Sequence, residues 1–198
     1  MGNEVALQLT MRLLGAPDVR IAGAPLALHD QKARALLYYL AATGQPHTRD
    51  HLATLLWSES PDSNARHSLR SSLYHMRQAL HAKGAAELLA GDSDLVYLKL
   101  EDDACDIPHF RRLLAQGSES ALVEAISLYR GPLLQGFTLT DAPLFEEWVR
   151  FEETALRQAY AAALQSLATW AQQRQAWDEA ITYAQRIEIG RASCRERV

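Results

Sequence analysis

The segment that most constrains the fold is a helix-period stretch from Trp57 to Leu80, with the sequence WSESPDSNARHSLRSSLYHMRQAL. Ser60 is its predicted N-cap, and Pro61 is tolerated in a first turn. One set of side chains recurs at helical spacing and forms an apolar seam: Ala65, Leu69, Leu73, Met76 and Leu80. Arginine, histidine and hydroxyl side chains cover the rest of the circumference. This pattern is typical of an amphipathic surface helix or of a helix that enters the DNA major groove.

The polar side of this helix carries the candidate DNA contacts, which are Arg66, His67, Arg70, Ser71, Tyr74 and Arg77. Guanidinium groups can bind guanine in a bidentate manner, and shorter polar groups fit adenine or the thymine methyl. The N-terminal half of such a helix usually enters the groove, which favours the first five residues over Arg77. In the competing interpretation, Arg66 and Arg70 pair with Asp62, with Glu59 or with the neighbouring helix.

Other basic side chains are candidates for contact with phosphate, namely Lys32, Arg49 and Lys83, with a solvated surface role as the alternative. Thr48 precedes a predicted helix, whose first-turn N–H groups could also face a phosphate. Charge is distributed unevenly around these residues. Residues 29–83 hold seven basic and four acidic side chains, whereas residues 101–188 hold seven basic and fourteen acidic ones. An electropositive first half joined to an acidic second half is typical of a DNA-binding domain attached to a partner-binding domain.

The segments around the helix predict a winged helix with an additional N-terminal sheet. Strict alternation from Val5 to Leu13 predicts a strand, and further short strands are predicted at Asp18–Ile21 and Leu26–Leu28. Two helices follow, Gln31–Thr43 ended by Gly44 and Arg49–Trp57 capped by Thr48. A hairpin over residues 88–100, with its tip at residues 90–94, would form the wing.

The remaining residues predict an all-α region. Acidic residues 101–106 are interpreted as a linker or seam, and helices are predicted at Pro108–Ala115, Ser118–Tyr129, Leu144–Gln173 and Trp177–Glu188. The apolar spacing of the last pair resembles a tetratricopeptide helix pair. The fold class is therefore mainly α, with an α+β winged-helix domain over residues 1–100 and a TPR-like helical domain over residues 104–188.

The last ten residues, IGRASCRERV at positions 189–198, break the helical pattern. They match what a stretch of a common short-read sequencing adapter encodes, so we interpret them as a non-native tail on a truncated chain.

Several classes of function lack support in the sequence. The N-terminus has no signal-peptide pattern, no apolar run could span a membrane, and two cysteines suit a reducing cytoplasm. Phosphate-binding and nucleophile-elbow motifs do not occur. His47 and His51 are predicted not to share a face, so no metal site is expected. We therefore predict a cytoplasmic protein with no enzymatic activity and no cofactor.

Several blocks in order carry a resemblance to a known family: MRLLGAPDV, KARALLYYLAATG, RDHLATLLW, SPDSNARHSLRSSLYHMRQAL and LYRGPLLQGFTLTDAPLFEEWV. Over residues 5–187 the chain resembles the SARP-type bacterial transcriptional regulators, in which an OmpR-like winged helix precedes a bacterial transcriptional activator domain. The resemblance implies binding to promoter repeats as a head-to-tail homodimer, and contact with RNA polymerase or sigma factor. The helical array stops after about one helix pair of what is normally a longer domain.

The principal hypothesis is a DNA-binding transcriptional activator that binds promoter DNA through its third helix and recruits RNA polymerase through its helical domain. One rival is a helical-repeat adaptor whose winged helix serves protein docking. A second rival is the N-terminal fragment of a larger signalling ATPase regulator.

Overall fold

The computed structural model describes residues 9–195, with side chains as far as Ile187. The strands are β1 Leu9–Arg12, β2 Asp18–Ile21, β3 Ala24–Pro25, β4 His47–Thr48, β5 Leu89–Gly91 and β6 Leu95–Leu98. The helices are α1 Gln31–Thr43, α2 Arg49–Trp57, α3 Asp62–His81, α4 Asp106–Gln116, α5 Glu119–Leu128, α6 Pro143–Gln173 and α7 Trp177–Arg195, with a 3-10 turn at Ala86–Leu88. The predicted mainly-α fold with small N-terminal sheets is confirmed. The part of the first predicted strand before Leu9 lies outside the described residues.

The N-terminal sheet is antiparallel, in the order β1-β2-β3. Its third strand is Ala24–Pro25, so the prediction of a strand at Leu26–Leu28 is wrong. The reason is the tight turn between β2 and β3, where Ala22 and Gly23 have φ angles of 49° and 77°. In a two-residue turn with both φ angles positive, the residue after the turn pairs directly with the residue before it. The third strand therefore begins at Ala24, before the predicted start at Leu26.

The first two helices have the predicted bounds, with the predicted end at Gly44 and the predicted cap at Thr48, and Asp30 is a further cap that was not predicted. The Asp30 carboxylate accepts from the N–H groups of Lys32 and Ala33 at the start of α1. Gly44 ends α1 in the left-handed region with φ 62°, and its N–H donates to the Leu40 carbonyl. Thr48 caps α2 by accepting from the His51 N–H at 3.2 Å. These contacts satisfy backbone groups that a helix end leaves unpaired.

Helix α3 begins at Asp62, so Trp57 belongs to the preceding helix and the prediction of Ser60 as N-cap is wrong. The Ser60 N–H donates to the Trp57 carbonyl at 3.0 Å and closes a turn between α2 and α3. That turn leaves Pro61 at the N-cap position, without a side-chain cap. The predicted seam is confirmed, since its members are at most 5% exposed: Ala65, Leu69, Leu73, Met76 and Leu80.

The predicted hairpin forms the edge of a second antiparallel sheet, in the order β4-β6-β5. Gly91 has a φ of 142°, and a Cβ there would lie 2.1 Å from the Leu95 carbonyl oxygen, so the turn requires glycine. Strand β4 pairs His47 with Val96 and was not predicted, because two residues carry no periodic pattern. It attaches the wing to the segment that leads into α2.

The C-terminal region is helical as predicted, and α6 and α7 pack against each other. Ala180 is buried, and Tyr183 and Ile187 contact the cluster around Leu164. Trp177, in the first turn of α7, is 59% exposed. The backbone of α7 is helical as far as Arg195, so the prediction that the helix ends at Glu188 is wrong. The proposed origin of the tail stays a prediction.

One apolar core cluster extends from Leu9 to Leu156 and so includes residues on both sides of the acidic segment 101–106. At that segment the Asp106 carboxylate, 5% exposed, accepts from the N–H groups of Leu13 and Leu14 at 2.8–2.9 Å. Burial raises the pKa of Asp106 above its ordinary value, against the lowering effect of these hydrogen bonds and of Arg130. The N-terminal sheet and α4 are thereby joined through a buried polar group. The division into two domains stays a prediction.

Candidate nucleic-acid interface

The outward face of α3 is polar and accessible over its whole length. The predicted contact residues of this helix are all exposed, namely Arg66, His67, Arg70, Ser71, Tyr74 and Arg77. Tyr74 is 57% exposed, which is unusual for a large aromatic side chain in a helix with a buried seam. Because the seam fixes the rotation of the helix, these side chains are held away from the core.

A polar network behind α3 joins it to the N-terminus of α1. The Ser72 hydroxyl donates to the Asp30 carboxylate at 2.9 Å, and His75 Nδ1 lies 3.3 Å from the same oxygen, Oδ2. Burial alone would raise the pKa of Asp30, but these contacts and the first N–H groups of α1 hold it below its ordinary value. The position of Asp30 directly before a predicted helix is typical of an N-cap. Its contact with α3 joins residues far apart in the chain, so no local sequence pattern could predict it.

The wing tip is fastened to the start of α2. Arg49 donates through Nη2 to the Asp92 carbonyl at 2.9 Å, and its backbone N–H donates to the Asp94 carbonyl at 2.8 Å. The Asp92 carboxylate accepts from the N–H groups of Leu95 and Asp94, and these hydrogen bonds lower its pKa. Arg49 therefore positions the wing, a role that the sequence did not predict.

The wing tip, the start of α2 and the N-terminal half of α3 enclose a cleft of about 420 Å³. Its lining includes Thr48, Arg49, Asp50, Arg66, Arg70 and Asp94. Arg66 Nε, on α3, donates to Asp50 Oδ1, on α2, at 2.9 Å. For Arg66 the structure therefore shows the alternative interpretation, in which the arginine pairs with the neighbouring helix. Arg70 has no ion pair or side-chain hydrogen bond among the residues that the structure describes. Three arginines thus meet the first turn of α2 and the wing at one surface, together with the carboxylates of Asp50 and Asp94.

Lys32 is predicted to contact phosphate, but its side chain contacts groups of the protein itself, which favours a structural role; the phosphate contact stays a prediction. Its side chain is only 14% exposed, and Nζ donates to the Leu56 carbonyl at 2.6 Å. The ammonium also pairs with Asp141 at 3.1 Å and lies 5.1 Å from the centre of the Trp57 ring. These contacts join α1, the end of α2 and the segment before α6, which makes Lys32 a structural residue.

The prediction that His47 and His51 do not share a face is also wrong, because their rings stack with centroids 5.4 Å apart. The short strand before α2 directs His47 back toward the helix. The Tyr39 hydroxyl lies 2.8 Å from His51 Nε2, and Thr43 Oγ1 lies 2.9 Å from His47 Nε2. Burial and the charge of His51 lower the pKa of His47. Across residues 9–195, no three side chains form a cluster suited to a metal ion.

No protein-family model matches the chain. Over 144 residues it is 31% identical to the transcriptional regulatory protein EmbR of Mycobacterium tuberculosis and of Mycobacterium bovis. That alignment covers 66% of this chain and 37% of EmbR, so the chain spans little more than a third of the relatives' length. Within the described residues, no helix combines the length and apolar character needed to cross a membrane.

The fold is similar to that of M. tuberculosis EmbR solved in complex with a low-affinity phosphopeptide. The TM-score is 0.60 at 24% identity, and the match covers 89% of this chain and 54% of that chain. The sequence comparison and the fold comparison thus both match EmbR, a transcriptional regulatory protein. Over the matched residues, the chain is similar to a transcriptional regulatory protein, in line with the SARP-type regulators that its sequence blocks resemble.

Proposed function

We infer that the protein binds double-stranded DNA through the N-terminal half of α3 and the adjacent wing tip, and regulates transcription. The observation that carries this inference is the cleft in which Arg66 and Arg70 meet the wing and the start of α2. A helix of 20 residues with a buried seam and an exposed polar face presents side chains in the manner that groove recognition requires. The similarity to transcriptional regulatory proteins supports the same function.

The contacts divide by chemistry. Arg70 is exposed in the N-terminal half of α3, so its guanidinium can donate to a guanine edge or to a phosphate. His67, Ser71 and Tyr74 lie on the same exposed face and would supply shorter-range contacts. Arg77 lies nearer the C-terminal end of α3, where a phosphate contact fits better than a base contact.

The helical region from α4 onward would contact RNA polymerase or sigma factor and support a homodimer on promoter repeats, as the family resemblance implies. Its acidic character, with fourteen acidic and seven basic side chains over residues 101–188, makes it unsuited to DNA and leaves it for protein partners. Recruitment of this kind needs no cofactor and no covalent step.

The test is fluorescence anisotropy with the full chain and duplexes selected from a randomised pool, at several salt concentrations. We expect binding that weakens steeply with salt, because phosphate contacts release counterions. Arg70→Ala should weaken binding by about five- to 150-fold if it reads a base, or reduce the salt slope by about one unit if it contacts phosphate.

Arg12→Ala is the matched control, because Arg12 is exposed on β1, which packs against β2 and α4. It removes the same charge and should leave the binding unchanged. A wild-type chain without salt-dependent duplex binding would contradict the proposal and leave the protein-docking adaptor in its place. Equal effects of the Arg12 and Arg70 variants would place the interface elsewhere.

A further inference from the structure

Asp50 is an acidic side chain that lines the cleft beside Arg49, Arg66 and Arg70. It lies in the first turn of α2, where the helix dipole favours a negative charge. The Thr48 cap and strand β4 fix the backbone on its N-terminal side. From that position Asp50 Oδ1 reaches across to α3 and accepts from Arg66 Nε at 2.9 Å. A carboxylate in this place lowers the affinity for DNA, so its presence calls for a physical reason.

The contact uses only one edge of the Arg66 guanidinium. A guanidinium carries five N–H donors in a rigid plane. Nε–H is the donor to Asp50, and both Nη groups make no hydrogen bond among the residues that the structure describes. The two Nη groups together form the end of the plane that can donate to O6 and N7 of a guanine. The ion pair therefore occupies Nε and leaves the Nη end of Arg66 available for recognition.

We propose that Asp50 is a positioning residue that orients Arg66 for base recognition and so determines specificity at one base pair. The proposal rests on the proposed function. In the free protein the pair is exposed, with side-chain exposures of 61% for Arg66 and 72% for Asp50, and such a pair is weak. Once DNA covers the cleft, water is excluded and the same contact becomes stronger. The arginine then makes its base contact with less loss of side-chain freedom.

A second role for the same contact would be masking, in which Asp50 neutralises Arg66 until a phosphate displaces it. The two roles differ in what the hydrogen bond does. Under masking, loss of the carboxylate frees Arg66 and strengthens its DNA contact. Under positioning, loss of the acceptor lets the guanidinium rotate, so base discrimination falls even though the total affinity rises with the loss of a negative charge.

Two substitutions separate charge from geometry. Asp50→Asn removes the charge and keeps a side-chain oxygen that can accept from Nε, whereas Asp50→Ala removes both. Asp62→Ala is the matched control, since it removes the same charge from the first turn of α3, and among the described residues Asp62 makes no hydrogen bond or ion pair with Arg66. Each full-chain variant is used to select duplexes from a randomised pool, and Arg66→Ala identifies the base pair that Arg66 reads.

We expect Asp50→Ala to reduce discrimination at that base pair by about three- to tenfold, while Asp50→Asn and Asp62→Ala stay within about twofold of wild type. All three variants should bind unselected duplex more tightly, because each lacks one negative charge. In the Arg66→Ala background, Asp50→Ala should change the base profile no further.

An unchanged base profile for Asp50→Ala would overturn the positioning role while leaving the proposed function intact. Stronger discrimination in the alanine variant would establish masking instead. Loss of duplex binding by the wild-type chain would overturn the proposed function and this proposal together. The nitrogen-15 NMR signal of Arg66 Nε–H in the free protein gives a readout without DNA, and it should shift in Asp50→Ala and much less in Asp50→Asn.

Discussion

Replacement of Asp106 by alanine tests whether one buried carboxylate joins the N-terminal sheet to the helical region. The carboxylate accepts three hydrogen bonds of 2.8–2.9 Å from the N–H groups of Leu13 and Leu14. Both leucines are fully buried, so water cannot replace the lost acceptor. A buried N–H group without a partner costs about 1–3 kcal/mol, and two groups are affected. Removal of a buried charge offsets part of this cost.

The free energy of unfolding should therefore fall by about 2–5 kcal/mol in Asp106→Ala, as measured by urea denaturation followed with circular dichroism. Asp106→Asn keeps one acceptor oxygen and should lose less. Asp103→Ala is the matched control, because Asp103 is an exposed aspartate of the same segment. A loss of less than about 0.5 kcal/mol in Asp106→Ala, equal to that of the control, would refute the reasoning.

Two further predictions concern Lys32 and His47, whose side chains contact groups of the protein itself. Lys32→Met should lower the free energy of unfolding by about 1–3 kcal/mol, because the Leu56 carbonyl and Asp141 lose their donor, and it should leave the salt slope of duplex binding unchanged. An unchanged urea midpoint with a reduced salt slope would place Lys32 in the interface. Because the folded protein lowers the pKa of His47 from its ordinary 6.5, the unfolded chain binds more protons, and stability should fall as the pH drops below that value. His47→Gln should flatten this dependence in thermal melts, and equal slopes for both proteins would contradict the assignment.

Much of the helical architecture follows from local patterns in the sequence. Helices α1 and α2 have the predicted first and last residues, because Gly44 and Thr48 are strong local signals of a helix end and a helix start. The seam of α3 follows from helical spacing alone. The start of α3 was misplaced because Ser60 has the composition of an N-cap, but its N–H group closes the turn after Trp57.

The sequence predicted which residues of α3 are exposed at the candidate site, but not the contacts that these residues make. Exposure of Arg66 and Arg70 follows from the position of the seam. The link from Arg66 to Asp50 and the contacts of Lys32 join residues 16 to 109 positions apart, and no local pattern encodes them. Lysine on a predicted helix usually indicates a solvated surface, so the partial burial of the Lys32 side chain depends on tertiary packing alone.

The central claim is that DNA lies against α3 and the wing, and backbone NMR of the full chain titrated with a selected duplex tests it most directly. The account predicts that the largest amide shift changes fall in the first half of α3, at the start of α2 and at the wing tip over residues 91–95. Residues of α6 and α7 should change little. Shift changes confined to the helical region from α4 onward, with α3 unaffected, would contradict the claim.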